Sequence, residues 1–143
     1  MKSTKAKGDM AEKEAQRILE AEGWEVHHAR AAKKRLGPRW VTISGDVWRC
    51  IDLAAMRDAE GVEGFLFVSV TYPSDVSSHR REIEAHRWPG GSQVQLWECR
   101  TRPSLANARM LETGFRVHRF DVREFRSGRI GWSVDTEPRM AIQ

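Results

Sequence analysis

Asp52 is a carboxylate set in an otherwise apolar run, Cys50-Ile51-Asp52-Leu53-Ala54-Ala55. An ionised acid is costly to bury alone, so Asp52 must be metal-bound, hydrogen-bonded or placed at the exposed end of its strand. Further on, Phe67-Val68-Ser69-Val70-Thr71 reads as a second strand. Alternation puts Ser69 and Thr71 on one face, pointing toward whatever Asp52 faces if the two strands pair. The stretch from Gly45 to Tyr72 therefore reads as the floor of a metal site. Asp46 shares the face of Asp52, but six residues in a straight strand put it roughly 20 Å away. Unless the chain bends at Gly45, Asp46 is a supporting group and not a co-ligand.

The elements that must hold this floor follow from periodicity. Ala11, Ala15, Ile18 and Leu19 fall at i, i+4, i+7 and i+8, the stripe of an amphipathic helix that Asp9 can cap and Gly23 can end. Glu12 lies beside that stripe, at the border of core and solvent; its plain alternative is a solvated first-turn acid. Trp24 to His28 alternates as a first strand, and residues 30–39 read as a basic loop with a Gly37-Pro38 turn signal. From Asp46 to Met56 apolar residues occupy both faces, which suggests a central strand covered on both sides. The turn Asp58-Ala59-Glu60-Gly61 makes a hairpin with Gly64–Thr71, which Pro73 closes. Ser77–Trp88 reads as a helix, Val94–Cys99 as a strand and Leu105–Leu111 as a short helix. Phe115–Phe125 and Arg129–Val134 read as a terminal β-pair joined at Ser127-Gly128.

At 143 residues the chain is the size of one domain, 1–143, with residues 1–7 and 138–143 expected to be mobile ends. No stretch reaches the 18 or so apolar residues of a membrane span, and the N-terminus lacks the apolar run of a signal peptide, so a cytoplasmic location is expected. Cys50 and Cys99 lack a Cys-x-x-Cys spacing and read as buried thiols, and the five histidines show no ligand spacing for zinc. Charge is segregated: residues 1–39 hold ten basic and six acidic groups, 40–75 two and six, and 76–143 twelve and eight. An acidic centre flanked by basic segments suits a protein holding both a divalent cation and a polyanion; a solvated surface with clustered charge is the alternative. Eighteen of the 24 cations are Arg, whose fork suits bidentate phosphate contact.

The order of helix with an acid, strand, Asp-bearing strand, strand with two same-face polar residues, then helix and strand is αβββαβ. In this order the chain resembles the PD-(D/E)xK nuclease superfamily, and within it the archaeal-type Holliday junction resolvases, including those of phages. Lys7-Gly8-Asp9-Met10-Ala11-Glu12 looks like that group's Lys-Gly-x-x-x-Glu helix start, and Ile51-Asp52-Leu53-Ala54-Ala55 looks like its Asp-bearing strand. The likeness spans about residues 5–100.

The resemblance implies a single-domain α/β fold: a restriction-endonuclease-like core with a central mixed sheet flanked by helices. It implies Glu12 and Asp52 as ligands of Mg²⁺, with Mn²⁺ as a substitute and the Val70 carbonyl as a further donor. It places the family's Glu-x-Lys on Ser69-Val70-Thr71, so Ser69 and Thr71 occupy catalytic positions without the usual acid and cation. Arg80 and Arg81 on the next helix are the candidates for the missing cation, surface arginines being the alternative. Lys5, Lys7, Arg30, Lys33, Lys34, Arg35, Arg80 and Arg81 are the expected DNA contacts. The implied activity is metal-dependent cleavage of branched DNA by a homodimer, inside the cell or as a phage protein acting in its host. Two alternatives keep the fold: a repair or restriction-like nuclease on duplex DNA, and a degenerate module that binds DNA without cutting it.

Overall fold

A computed structural model of the chain describes residues 4–29, 32–36, 38–43, 50–59, 62–89, 91–103 and 109–140. Helix α1 runs Thr4–Ala21, so Asp9 lies inside it and cannot cap it. The apolar stripe is as expected: Ala11, Ala15, Ile18 and Leu19 are all buried. Gly23, at φ +90°, ends the helix, with Gly23 N–H donating to Glu20 O and Trp24 N–H to Leu19 O. That pair of bonds is a Schellman closure, which needs a left-handed residue, and glycine adopts it without a side-chain clash.

Strand β1 (Glu25–His28) follows, then a hairpin of β2 (Ala32–Leu36) and β3 (Arg39–Ile43) that forms its own two-stranded sheet. The basic segment expected as a loop is thus a hairpin. Leu36 pairs with Arg39, so only residues 37 and 38 join the strands, the shortest connection an antiparallel pair accepts.

The main sheet has the order β1-β4-β5-β6-β7-β8, with β9 also beside β7. Strands β4 (Leu53–Ala59) and β5 (Val62–Thr71) form the expected hairpin. Parallel pairing of β5 with β6 (Gln93–Pro103) requires a crossover, made by a short 3₁₀ turn, Pro73–Asp75, and α2 (Val76–Glu84). Strand β7 (Leu111–Phe120) returns antiparallel to β6, and β8 (Trp132–Val134) and β9 (Arg139–Met140) pair with its far edge. The chain is a single-domain α/β fold around a mixed open sheet. Stripped of the β2–β3 hairpin, its first part runs α1-β1-β4-β5-α2-β6, the αβββαβ order. No helix among the described residues is long and apolar enough to cross a membrane.

Three local expectations change. Strand β7 stops at Phe120 because the Asp121 carboxylate accepts hydrogen bonds from Arg123 N–H and Glu124 N–H and starts α3 (Val122–Arg126), where a strand was expected to continue. Strand β4 is not covered on both sides along its length: Leu53 and Ala55 are buried under α1, while Met56 on the other face is 48% exposed. Of the Leu105–Leu111 helix, residues 104–108 lie outside the described residues, and Leu111 already belongs to β7.

The sheet carries a core on each face. Leu53, Val68, Trp97, Phe115 and Val117 pack with the α1 stripe. Ile51, Val94, Leu96 and Phe120 pack with Ile83 of α2 and with Trp88, whose indole N–H donates to Ile83 O at 2.8 Å. Cys50 and Cys99 are buried and neither forms a disulfide.

Candidate functional site

The ladder between β4 and β5 ends at Leu53↔Val68, and Asp52 sits just beyond it. Its backbone stays tied to both neighbours: Asp52 N–H donates to Val68 O at 3.0 Å and Asp52 O accepts from Ala29 N–H at 2.9 Å. Its side chain takes over where the ladder stops. Val70 N–H, which would otherwise lack a partner strand on that side, donates to Asp52 Oδ2 at 2.7 Å. With 7% of the residue exposed, this bond is what makes the buried carboxylate tolerable. Within a strand the N–H and C=O of one residue point to the same side. The Val70 carbonyl is therefore turned toward the same edge as Asp52.

Because Val68 faces α1, alternation turns Ser69 and Thr71 toward the α2 side. Asp52 lies just before β4, where alternation breaks, since Ile51 packs on the α2 side while Leu53 faces α1; its carboxylate points along the sheet to Val70 N–H. The pairing expected between the two strands is present from Leu53 onward, with Asp52 just past its end and outside the alternation that aligns Ser69 with Thr71. Ser69 is completely buried and Thr71 nearly so. Ser69 Oγ shares a hydrogen bond of 3.0 Å with His79 Nδ1, and Thr71 Oγ1 donates to Tyr72 O at 3.4 Å. The residue that α2 sends to Ser69 is therefore His79, and not one of the two arginines.

Glu12 approaches from the other face. Its Oε2 accepts a hydrogen bond of 2.7 Å from His28 Nε2, and His28 is paired in register with Leu53. Helix α1 and strand β1 thereby bring Glu12 to the same end of β4 as Asp52, on the α1 side of the sheet. Among the described residues no three His, Cys, Asp or Glu side chains gather as ligands.

Arg81 is exposed on α2. Arg80 turns toward the far strands: its guanidinium lies 4.8 Å from the Trp132 ring centre and meets His118 Nδ1. Leu96 pairs with both Ser69 and His118, so Arg80 lies about two strands from Ser69, roughly 10 Å at the usual strand spacing. Arg30 and Asp46 lie outside the described residues. Lys5 and Lys7 fall within α1, and Lys33, Lys34 and Arg35 within β2, on the hairpin that follows β1 in the chain.

A second polar cluster escaped sequence reasoning. Glu98 and His118 are 3% and 5% exposed, on the same face as Leu96 and Phe120. Glu98 accepts from His118 Nε2 at 3.1 Å and from Arg100 Nε. Burial alone would push the Glu98 carboxyl up, but hydrogen bonds from Arg100 and His118 outweigh it and hold it below its ordinary range. Burial pushes His118 down, aided by Arg80 and Arg116 and opposed by Glu98, so the imidazole is held neutral. The signal was present: Glu98 is an acid in the apolar run Val94-Gln95-Leu96-Trp97-Glu98-Cys99, the criterion that selected Asp52.

Compared with known families, curated proteins and solved structures, the chain matches none.

Proposed function

We propose that the chain is a metal-dependent, structure-specific DNA endonuclease acting on branched DNA as a homodimer, with a restriction-endonuclease-like core. The observation that carries this reading is Asp52: a buried carboxylate at the point where β4 leaves the ladder, oriented by Val70 N–H and next to the Val70 carbonyl. The α1-β1-β4-β5-α2-β6 order and the resemblance of the Glu12 and Asp52 segments support it. The donors concerned are all oxygens, the type that hard divalent cations take. Mg²⁺ in particular uses one or two carboxylates and fills its other positions with water and substrate phosphate.

Asp52, Glu12 and the Val70 carbonyl would hold Mg²⁺, which when bound activates water and polarises the phosphodiester. The chain's own contribution is orientation. Val70 N–H fixes one oxygen of Asp52, and His28 fixes Glu12, so neither carboxylate has to be ordered when substrate arrives. Ser69 and His79 set a hydroxyl and an imidazole at β5 where the resembling family has charged groups.

The test uses a labelled four-way junction with Mg²⁺ and compares wild type with Asp52→Asn, whose amide oxygen can still accept from Val70 N–H. Wild type is expected to cut and the variant to fall to background. Equal cleavage by both sinks the reading, and cleavage of linear duplex in preference to the junction moves it to a repair or restriction-like nuclease.

One observation favours a second reading, a module that binds DNA without cutting. Ser69 is engaged by His79 and Glu12 by His28, so protein groups already satisfy positions that chemistry would use. On that reading, binding persists in Asp52→Asn without metal and weakens steeply with salt.

A further inference from the structure

Four side chains on the α2 side of the sheet form one hydrogen-bonded chain. Arg100 Nε donates to Glu98, His118 Nε2 donates to Glu98, and Arg80 Nη2 donates to His118 Nδ1. A guanidinium offers no acceptor, so His118 Nδ1 is the lone-pair nitrogen and Nε2 carries the hydrogen. The histidine therefore adds no charge, and the chain holds one carboxylate between two guanidiniums. Arg116, opposite Glu98 in the β6–β7 register and close enough to His118 to disfavour its protonation, is a third. Three cations around one acid leave two positive charges in excess.

The middle of this chain is buried and Arg80 half-buried, while the arginines on the other side are open. Glu98 and His118 are enclosed, while the Arg100 side chain is 46% exposed and Arg116 is exposed. A groove of about 270 Å³ runs along the outer ends, lined by Arg100, Thr101, Arg116, Asp135 and Thr136 among others. Asp135 in that groove is already held by Arg119 through two hydrogen bonds of 3.1 Å. The patch also adjoins the candidate site. Thr71 lies opposite Glu98 in the parallel β5–β6 register, two strands from Arg116, on the same face as Ser69 and on the strand whose Val70 N–H holds Asp52.

We propose that Arg80, Arg100 and Arg116, held in place by the buried Glu98–His118 pair, form a phosphate-backbone contact surface that guides a DNA strand across the sheet toward Asp52. The identity of the partner rests on the nuclease reading. The chemistry rests on the guanidinium forks, which match phosphodiester oxygens bidentately. An acid at the centre of a polyanion-binding patch is otherwise a liability; here it serves as the anchor. Glu98 is thus a positioning residue.

The experiment is a fluorescence-anisotropy titration of labelled duplex DNA with the full chain, in a series of salt concentrations and without metal. Each phosphate contact adds roughly 0.9 to the slope of log affinity against log salt, so an Arg100→Gln/Arg116→Gln variant is expected to show a slope shallower by about 1.8. Both arginines are exposed, and near-ultraviolet circular dichroism checks that the variant is folded. Glu98→Gln separates anchoring from charge. It raises the net charge of the patch by one, so a merely electrostatic patch would bind more tightly, whereas loss of the anchor weakens binding severalfold. An unchanged slope in the double variant, tighter binding by Glu98→Gln, or no salt-dependent binding by wild type overturns the proposal. Because no cleavage is read, the two readings fail separately. A chain that binds through these arginines and cuts nothing loses the nuclease reading alone, while one that cuts junctions with the slope unchanged loses this surface alone.

Discussion

The two faces of the central sheet are filled by different means. Under α1 the contacts are almost wholly apolar: Trp97 and Phe115 lie 5.3 Å apart between ring centres, within a cluster that includes Leu53, Val68 and four α1 residues. Under α2, Ser69, Thr71, Glu98 and His118 are as deeply buried as leucines, and each has a hydrogen-bond partner. Apolar packing is non-directional and chiefly stabilises. A satisfied buried polar network adds little net free energy, yet it fixes where each group points, because an unpaired alternative is so costly. The first face chiefly holds the fold together and the second chiefly holds groups in position, while Glu12 and His28 bring a candidate ligand to the edge of the first.

That contrast can be broken most sharply at Trp97. Trp97→Ala is expected to lose roughly 3–5 kcal/mol, read as a shift in the urea midpoint, since it deletes the largest buried side chain under α1. Should it cost no more than the substitutions under α2, the division of labour fails. Glu98→Ala is expected to cost roughly 1–3 kcal/mol, the penalty for leaving the buried His118 N–H without its acceptor. At Asp52 the stability and chemical roles separate: Asp52→Ala should lose roughly 1–2 kcal/mol by orphaning Val70 N–H, and Asp52→Asn much less, while both abolish cleavage. Ser69→Ala, which removes one hydrogen bond to His79, is expected to cost about 1 kcal/mol.

The gentlest probe is pH. Burial holds the folded-state pKa of His118 below its ordinary 6.5, so the unfolded chain takes up that proton first. Stability is then complete above about pH 6.5 and declines as pH falls below it. Glu98, held below its ordinary 4.5, adds a second loss as pH drops past that value. His118→Gln keeps an N–H for Glu98 and an oxygen for Arg80, and should flatten the first decline while leaving the second.

Much of this was legible in the chain. The α1 stripe, its Gly23 stop, the β4–β5 hairpin and the exceptional burial of Asp52 all follow from local pattern, because 3.6- and 2-residue periods reflect which face meets the core. The basic segment after β1 carried its Gly37-Pro38 turn signal, but the run of charged residues hid the strands on either side of it. Strand β7 was overextended because Asp121 in Phe120-Asp121-Val122 reads as one more outward-facing residue until its cap is seen. The partners of Ser69 and Arg80 were out of reach: His79 and Arg80 are adjacent on α2, and only the crossing of that helix over the sheet sends one to β5 and the other to β7.

The sequence by itself determined the apolar stripe of α1 and its Gly23 stop, the β4–β5 hairpin, and that Asp52 needs a partner, since these depend on neighbours a few residues away. Tertiary structure alone decided what the partners are. Val70 N–H for Asp52, His28 for Glu12 and the Glu98–His118–Arg80 links join groups 16 to 38 residues apart. Pairings at such separations are set by strand order and helix placement, which local periodicity does not encode.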